Sequence, residues 1–328
     1  MQESVARKEM PLDWEPSETR RILCATDLTP RSDIAIARAA ALARELNAEV
    51  TFVHAVDGLQ SGRVMRLNVA RAHARLLTTA ERAMAHAPDK ARVSVRVGTP
   101  LQAIGGASAE WFPDLIVMTR PQRHTMDIAM GTTAERIIRA TRRPVLIVGG
   151  QVSGPYSNVV VATDLSETSV QVARTVGSLG LLRDAHTWVV HAFDVPYYGM
   201  LESRTQEYVD SFAHQPRYQL EQTFLAELAD HGVDMSKVRL VVQASKPFEA
   251  IERCLSSTRA ELLVIGTSRW FMLKRLLFGS IADEVLRRVE CDVLAITPRA
   301  RKTRTTGAEK LHRGARPSTA ANSPTLHA

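Results

Sequence analysis

Cysteine is scarce in this chain: 3 residues in 328, namely Cys24, Cys254 and Cys291. The count is odd and no pair has CxxC spacing, which argues against a disulfide framework or a zinc site. Cys24 lies inside an apolar run and reads as a buried, inert thiol. Long apolar runs are also missing. None approaches the ~18–20 residues of a membrane helix, so no membrane partner is expected. The opening segment, MQESVARKEMPLDWEPSETR, has no apolar core of the signal-peptide kind, and the expectation is a cytoplasmic protein. The phosphate-loop pattern GxxxxGK[ST] is absent, which removes the P-loop NTPases from consideration. Acidic residues are nearly absent from the last thirty positions. From Arg299 onward Glu309 alone faces seven Lys and Arg, so +6 of the net +7 belongs to residues 299–328. The high isoelectric point is therefore not the mark of a basic nucleic-acid-binding face, and a nucleic-acid partner is not expected. The segment itself reads as a disordered basic tail, either a weak tether for a polyanion or a solubilising extension.

What is present is ordinary in amount and unusual in order. Hydrophobic content is 45% and charged content 23%, as in a globular protein with room for two domains. The chain is written twice. RRILCATDLTPRSDIAIARAAALA at 20–43 matches NVVVATDLSETSVQVARTVGSLG at 158–180, with Asp27 against Asp164. VTFVHAV at 50–56 matches TWVVHAF at 187–193, with His54 against His191. Pro100 pairs with Pro247, and Gly131 with Gly279. The second copy carries about ten extra residues between its second and third strands, by the shift of the Pro100–Pro247 offset from that of the histidines. A Gly/Ser/Pro stretch joins the copies. The expected organisation is an N-terminal tail over 1–19, a first domain over 20–149, a linker over 150–156, a second domain over 157–298, and the tail.

Each copy alternates short β-rich runs with helical patterns. The runs are 21–27, 50–56, 92–97, 114–118 and 144–148, then 158–163, 187–193, 238–243, 261–265 and 292–296. DLIVM and ELLVI are continuous apolar runs, as in strands covered on both faces. TAERIIRA and IADEVLRRV space their apolar residues as helices do. The pattern predicts two tandem α/β domains, each a doubly wound, flavodoxin-like (Rossmann-like) fold with a five-stranded parallel-type sheet. Ligands of such sheets bind beyond the carboxyl ends of the strands, where strand order reverses. That places Asp27 and Asp164, at the ends of the first strands, opposite Thr119 and Gly266, after the fourth. A carboxylate there accepts from a ribose hydroxyl or an adenine amino group, and Ser280, opening a helix, either donates to phosphate or caps that helix. Asp164 likewise reads as a ligand contact or as a helix cap.

ATDLSETS, VVHAF and VIGTSRWFMLKRLLFGSIADEVLRRVECDVLAIT together resemble the universal stress protein family, over roughly 20–149 and 157–298. The nucleotide-binding branch of that family carries Gly, two residues, Gly, nine residues, then Gly and Ser or Thr. The second copy keeps Gly266, Gly279 and Ser280 but has Arg269 for the second glycine. The first copy has Thr119 and Gln122 for both early glycines and a shorter span to Gly131 and Thr132. By this resemblance Thr163, Asp164, Ile265, Gly266, Thr267, Gly279, Ser280 and Ile281 fall on ATP-contacting positions. Thr26, Asp27, Met118, Gly131, Thr132 and Thr133 are the weaker first-copy counterparts. Arg269 either blocks the loop or adds charge to a phosphate. Lys274, Arg275, Arg120, Arg123 and His124 read as phosphate contacts or as solvated charges, and His54 and His191 as partly buried histidines rather than a catalytic pair. Tyr197, Tyr198, Met200 and Phe212 of the insertion line an apolar pocket or cover the sheet.

Three functions stay open on this reading. The first is a stress-response sensor or adaptor holding ATP, with Mg2+, in the second copy. The second is a nucleotide-free member acting through an unknown protein partner and dimerisation. The third, an adenylate-transferring enzyme, has no catalytic motif to carry it. The resemblance also implies that the fifth strands pair the two domains within one chain, hiding two sheet edges, and leaves a homodimer open.

Overall fold

The structure, a computed structural model, describes residues 19–58, 62–120, 133–150, 154–193, 216–267 and 280–298. Ten strands lie in chain order: β1 Arg21–Ala25, β2 Glu49–Val56, β3 Ala91–Val97, β4 Leu115–Thr119, β5 Val145–Val148, β6 Asn158–Thr163, β7 His186–Phe193, β8 Val238–Ala244, β9 Leu262–Gly266 and β10 Asp292–Ile296. Eight α-helices accompany them among the described residues: α1 Asp33–Leu46, α2 Gly62–Ala83, α3 Pro100–Trp111, α4 Thr133–Thr141, α5 Glu167–Leu179, α6 Pro216–Asp230, α7 Pro247–Thr258 and α8 Ser280–Arg288. No described helix is long and apolar enough to cross a membrane.

All ten strands join one sheet in the order β3-β2-β1-β4-β5-β10-β9-β6-β7-β8. Within each half every pairing is parallel. The seam between the halves is antiparallel, with Leu294 opposite Leu146. The expected pairing through the fifth strands is thus present within one chain. Its polarity has a geometric consequence: the carboxyl ends of β1 and β4 point to one edge of the sheet, and those of β6 and β9 to the opposite edge.

The period-two rule explains the continuous apolar runs. In β4, Leu115 and Val117 join one core, and Ile116 and Met118 the other. β9 divides the same way, Leu262 and Val264 against Leu263 and Ile265. Helices α1, α2, α5 and α6 cover the first face, and α3, α4, α7 and α8 the second. Both cores run across the seam without interruption. The edge strands β3 and β8 are only half-buried.

Local signals set where elements begin and end. Thr99 and Gln102 form a capping box ahead of Pro100, which fixes the start of α3. β1 stops at Ala25, two residues short of the 21–27 expected. The Thr26 hydroxyl accepts from the Leu28 N–H at 3.0 Å, and Leu28 turns into the left-handed region at φ 59°. The second copy does the same after β6, with Thr163, Leu165 and φ 50°. Asp27 and Asp164 therefore sit in the turns beyond the strands rather than at their ends, and Thr119 and Gly266 are the last strand residues rather than the first residues after them.

Candidate functional site

Strand order reverses between β1 and β4, and between β6 and β9, leaving β2 and β7 on one side and β5 and β10 on the other. Each copy thus has one crevice at the place the alternating pattern predicts. The turn after the first strand of each copy is built from short hydrogen bonds within the stretch Thr-Asp-Leu and the hydroxyl residue that follows. A leucine held at positive φ costs about 1–2 kcal/mol, and both copies bear that cost at the same position. Strain of this kind gathers where a site must be held in shape.

In the second crevice the carboxylate of Asp164 accepts from the Ser166 N–H at 3.1 Å and from the Ser169 hydroxyl. Burial works against the ionised form, but these donations outweigh it, and the carboxyl titrates below its usual range. Asp164 is exposed at the crevice mouth, and it has no ion-pair partner among the described residues. Ser166, not Asp164, is the N-cap of α5, accepting from the Ser169 N–H at 3.3 Å. Asp164 thus supports the cap from outside, both of these bonds falling on Oδ1.

The first crevice repeats the turn with different bonds. Asp27 accepts from the Thr29 N–H at 2.9 Å and its hydroxyl at 2.7 Å. Burial again opposes ionisation, and the Thr29 and Ser32 bonds hold the carboxyl below its usual range. Ser32 is buried and also bonds to Thr26 at 2.7 Å, and its counterpart Ser169 likewise bonds to the aspartate of its turn. Beneath each turn lies a histidine: His54 Nδ1 is 2.9 Å from the Thr26 carbonyl, and His191 Nδ1 is 3.1 Å from that of Thr163. A carbonyl only accepts, so Nδ1 carries the proton in both. The two histidines tie the second strand to the strained turn; the repeat made them visible in sequence, but not this bond.

The remaining predicted residues divide. Gly266 ends β9, and a methyl there would lie 2.9 Å from Cγ2 of Val172 on α5. Close helix packing accounts for this glycine as well as ligand approach does. Thr267 is buried, and its hydroxyl bonds to the Ile296 carbonyl at 3.3 Å and the Thr297 hydroxyl at 2.9 Å, turned toward β10. Ile265 and Met118 are core residues under the crevices. Ser280 and Ile281 open α8, but their side chains lie outside the described residues, as do Gly279, Arg269, Lys274 and Arg275. Gly131, Thr132, Gln122, Arg123 and His124 of the first copy, and Tyr197, Tyr198, Met200 and Phe212 of the insertion, also lie outside them. Thr133 begins α4.

Two features have no counterpart in the sequence reading. A buried polar cluster crosses the junction of the halves. Asp292, fully buried at the start of β10, accepts from Arg38 Nε at 2.9 Å, the Tyr156 hydroxyl at 2.6 Å, and the N–H groups of Gly149 and Gly150, both at 3.0 Å. The Arg38 guanidinium also lies 4.4 Å from the Tyr156 ring and donates to the Gly154 carbonyl. The second feature is a cavity of about 210 Å³ at the opposite end of β1 and β2 from the crevice, lined by Arg21, Thr51, Arg92, Glu110 and Trp111. Its charges are already engaged, Arg92 with Glu49 at 3.4 Å and Glu110 with Arg96. Cys24 is buried, as its apolar run implies, and burial pushes the Cys254 thiol up to about 11, Cys291 up to about 12, and Cys24 higher still. No group of three or more His, Cys, Asp and Glu that could hold a metal ion occurs among the described residues.

The sequence model of the universal stress protein family matches residues 18–149 and again 155–297. A universal stress protein of Methanocaldococcus jannaschii is 24% identical over 142 residues, spanning 43% of this chain and 82% of that protein. A putative universal stress protein of Staphylococcus aureus is 23% identical over 142 residues, spanning 43% of this chain and 84% of that protein. Among solved structures, a universal stress protein of Archaeoglobus fulgidus aligns with a TM-score of 0.61 at 16% identity, covering 86% of this chain and 99% of that one. At that identity the likeness speaks to the fold. The repeated match over most of the sequence does more: this chain belongs to the universal stress protein family, as a tandem two-domain member.

Proposed function

We propose that the second crevice binds an adenine nucleotide, ATP with Mg2+ in the first instance, and that the protein acts as a sensor or adaptor rather than through fast chemistry. The observation that carries this reading is the Asp164 turn. It presents an exposed, ionised carboxylate, oriented by Ser166 and Ser169 and free of any salt bridge among the described residues. An acceptor of this kind suits ribose hydroxyls or an exocyclic amine. Thr163 and Gly266 flank it at the ends of β6 and β9. Thr168 stands where the first copy has Arg31, so no guanidinium at that position crosses the second crevice.

The test is calorimetric titration of the nucleotide-stripped full chain with ATP and Mg2+. Asp164→Ala removes charge-assisted hydrogen bonds of about 1.5–3 kcal/mol each. It should weaken ATP roughly 10-fold to 150-fold. An Asp164→Ala isotherm that superposes on the wild type sinks the reading.

A nucleotide-free reading has observations of its own. Val172 gives Gly266 a packing role, and Thr267 spends its hydroxyl on β10. On that reading the protein works through contacts with a protein partner, and neither crevice takes up heat at millimolar ATP.

A further inference from the structure

The first copy has lost the early glycines of the nucleotide loop, yet arginines gather at its crevice. Arg75 of α2 donates to the Leu28 carbonyl at 3.0 Å, at the strained turn beyond β1. Arg31 reaches from the same turn to the Arg120 carbonyl at 3.5 Å, beyond β4, so its side chain lies across the mouth of the crevice. Arg120 extends over the end of β5 to the Cys291 carbonyl at 3.4 Å, in the other half. The three guanidinium groups form a row along strand ends in the order β1, β4, β5. With neighbouring strands about 4.8 Å apart, the row is on the order of 10–15 Å long.

None of the three lies within ion-pair distance of a carboxylate among the described residues, and Arg120 feels acids farther off, Asp292 and Glu290. Asp33 and Asp27 are the acids nearest Arg31 in sequence; Asp33 opens α1 without an ion pair to Arg31, and Thr29 donates to the Asp27 carboxylate. Each guanidinium offers five N–H donors and, among the described residues, spends one of them on a carbonyl oxygen. The Arg120 Nε is buried and makes no hydrogen bond to any described residue. An orphaned buried donor leaves room for a partner that the described residues do not supply. Exposed arginines on a surface are ordinarily solvated and need no ligand, but solvation does not account for a buried Nε at the end of the row. Nor is the row a property of the repeat, since Arg31 and Arg120 are replaced in the second copy by Thr168 and Thr267.

We propose that the first crevice is a site for a polyphosphate chain, held by the side chains of Arg31, Arg75 and Arg120 in place of a glycine-rich loop. Guanidinium groups match phosphate oxygens in geometry and charge. A row of them fits an extended chain of several phosphates better than a single one. The phosphates come either from an inorganic polyphosphate or from a nucleoside triphosphate.

The probe is inorganic tripolyphosphate, titrated calorimetrically into the full chain. The double variant R31Q/R75Q should bind it about tenfold more weakly or worse, since each lost contact is charge-assisted. Both side chains are exposed, and an unchanged thermal melt shows that the variant folds. The loss in R31Q/R75Q itself separates this site from the second crevice, since both arginines bond at the ends of first-copy strands. Absence of binding to the wild type overturns the proposal. So does equal binding by R31Q/R75Q, which would assign the anion to the basic residues 299–328. In the Asp164→Ala background, equal affinities for tripolyphosphate and ATP mark a site that reads phosphate alone. Tighter ATP binding that R31Q/R75Q removes marks a nucleoside triphosphate as the source.

Discussion

Replacing Asp292 by alanine removes the acceptor on which four donors converge. Arg38, Tyr156 and the N–H groups of Gly149 and Gly150 all lose this acceptor at once. Arg38 is only 2% exposed, so its guanidinium would be left charged in the core. Breaking a buried ion pair from one side costs about 3–5 kcal/mol, and the two orphaned glycine amides push toward the upper end of that range. Asp292→Asn keeps an oxygen for the glycine amides but no charge for Arg38, and should fall between alanine and wild type. The double variant Arg38→Met with Asp292→Leu removes both charges and restores apolar volume, and should recover most of the loss. The assay is equilibrium unfolding in urea, followed at several wavelengths. Because the cluster joins the halves, Asp292→Ala should also split one transition into two, with a lower m-value for each. A shift in the first midpoint worth less than about 1 kcal/mol would refute the reasoning, since only a pair in contact with water is that weak.

Other expectations follow from the same geometry. Tyr156 has its hydroxyl titration raised well above the ordinary value, first by burial and then by Asp292. A raised acid stabilises the fold fully below its unfolded value, so stability should fall as the pH climbs above ~10; Tyr156→Phe should flatten that alkaline limb and cost about 1.5–3 kcal/mol at neutral pH. Asp27 and Asp164 are shifted the other way, so their contribution is present above the unfolded value and is lost as the pH falls below ~4. A double Asp27→Asn, Asp164→Asn variant should show a shallower acid limb in thermal melts. Gly266→Ala forces a contact of 2.9 Å on Val172 and should cost about 1–3 kcal/mol, with Val172→Ala restoring part of it; full stability in Gly266→Ala alone would remove the packing argument.

Much of the fold was legible because it rests on patterns that repeat. The paired landmarks Asp27–Asp164 and His54–His191 fixed the tandem arrangement, and the apolar runs at β4 and β9 fixed strands covered on both faces. The crevices followed from strand alternation alone. The strained turns were misread by a residue or two, because a leucine in the left-handed region leaves no trace in composition. Gly266 was readable as close backbone approach but not as room for Val172, which is a fact about α5. The Arg38–Asp292–Tyr156 cluster was illegible for a different reason. Its members are up to 254 residues apart, and the repeat places Thr175 and Pro144 where partners would be expected. A reading guided by internal symmetry passes over whatever breaks that symmetry.

That broken symmetry follows from the antiparallel seam of β5 and β10. Two identical subunits paired about a two-fold axis must make every contact twice. A favourable ion pair at one end of such a seam obliges an identical one at the other, and any side chain that crosses one binding cleft crosses both. Joining the halves in a single chain lifts that obligation. Arg38 can meet Asp292 once, and the ends of the seam can differ, one of them ionic. Arginines can gather over one cleft while the other keeps threonines. The same asymmetry guards the pairing itself: a second copy of this chain offering its own β5 would bring Pro144 where Arg38 needs an acid. The fused chain therefore has two addresses where a symmetric dimer would have one address printed twice.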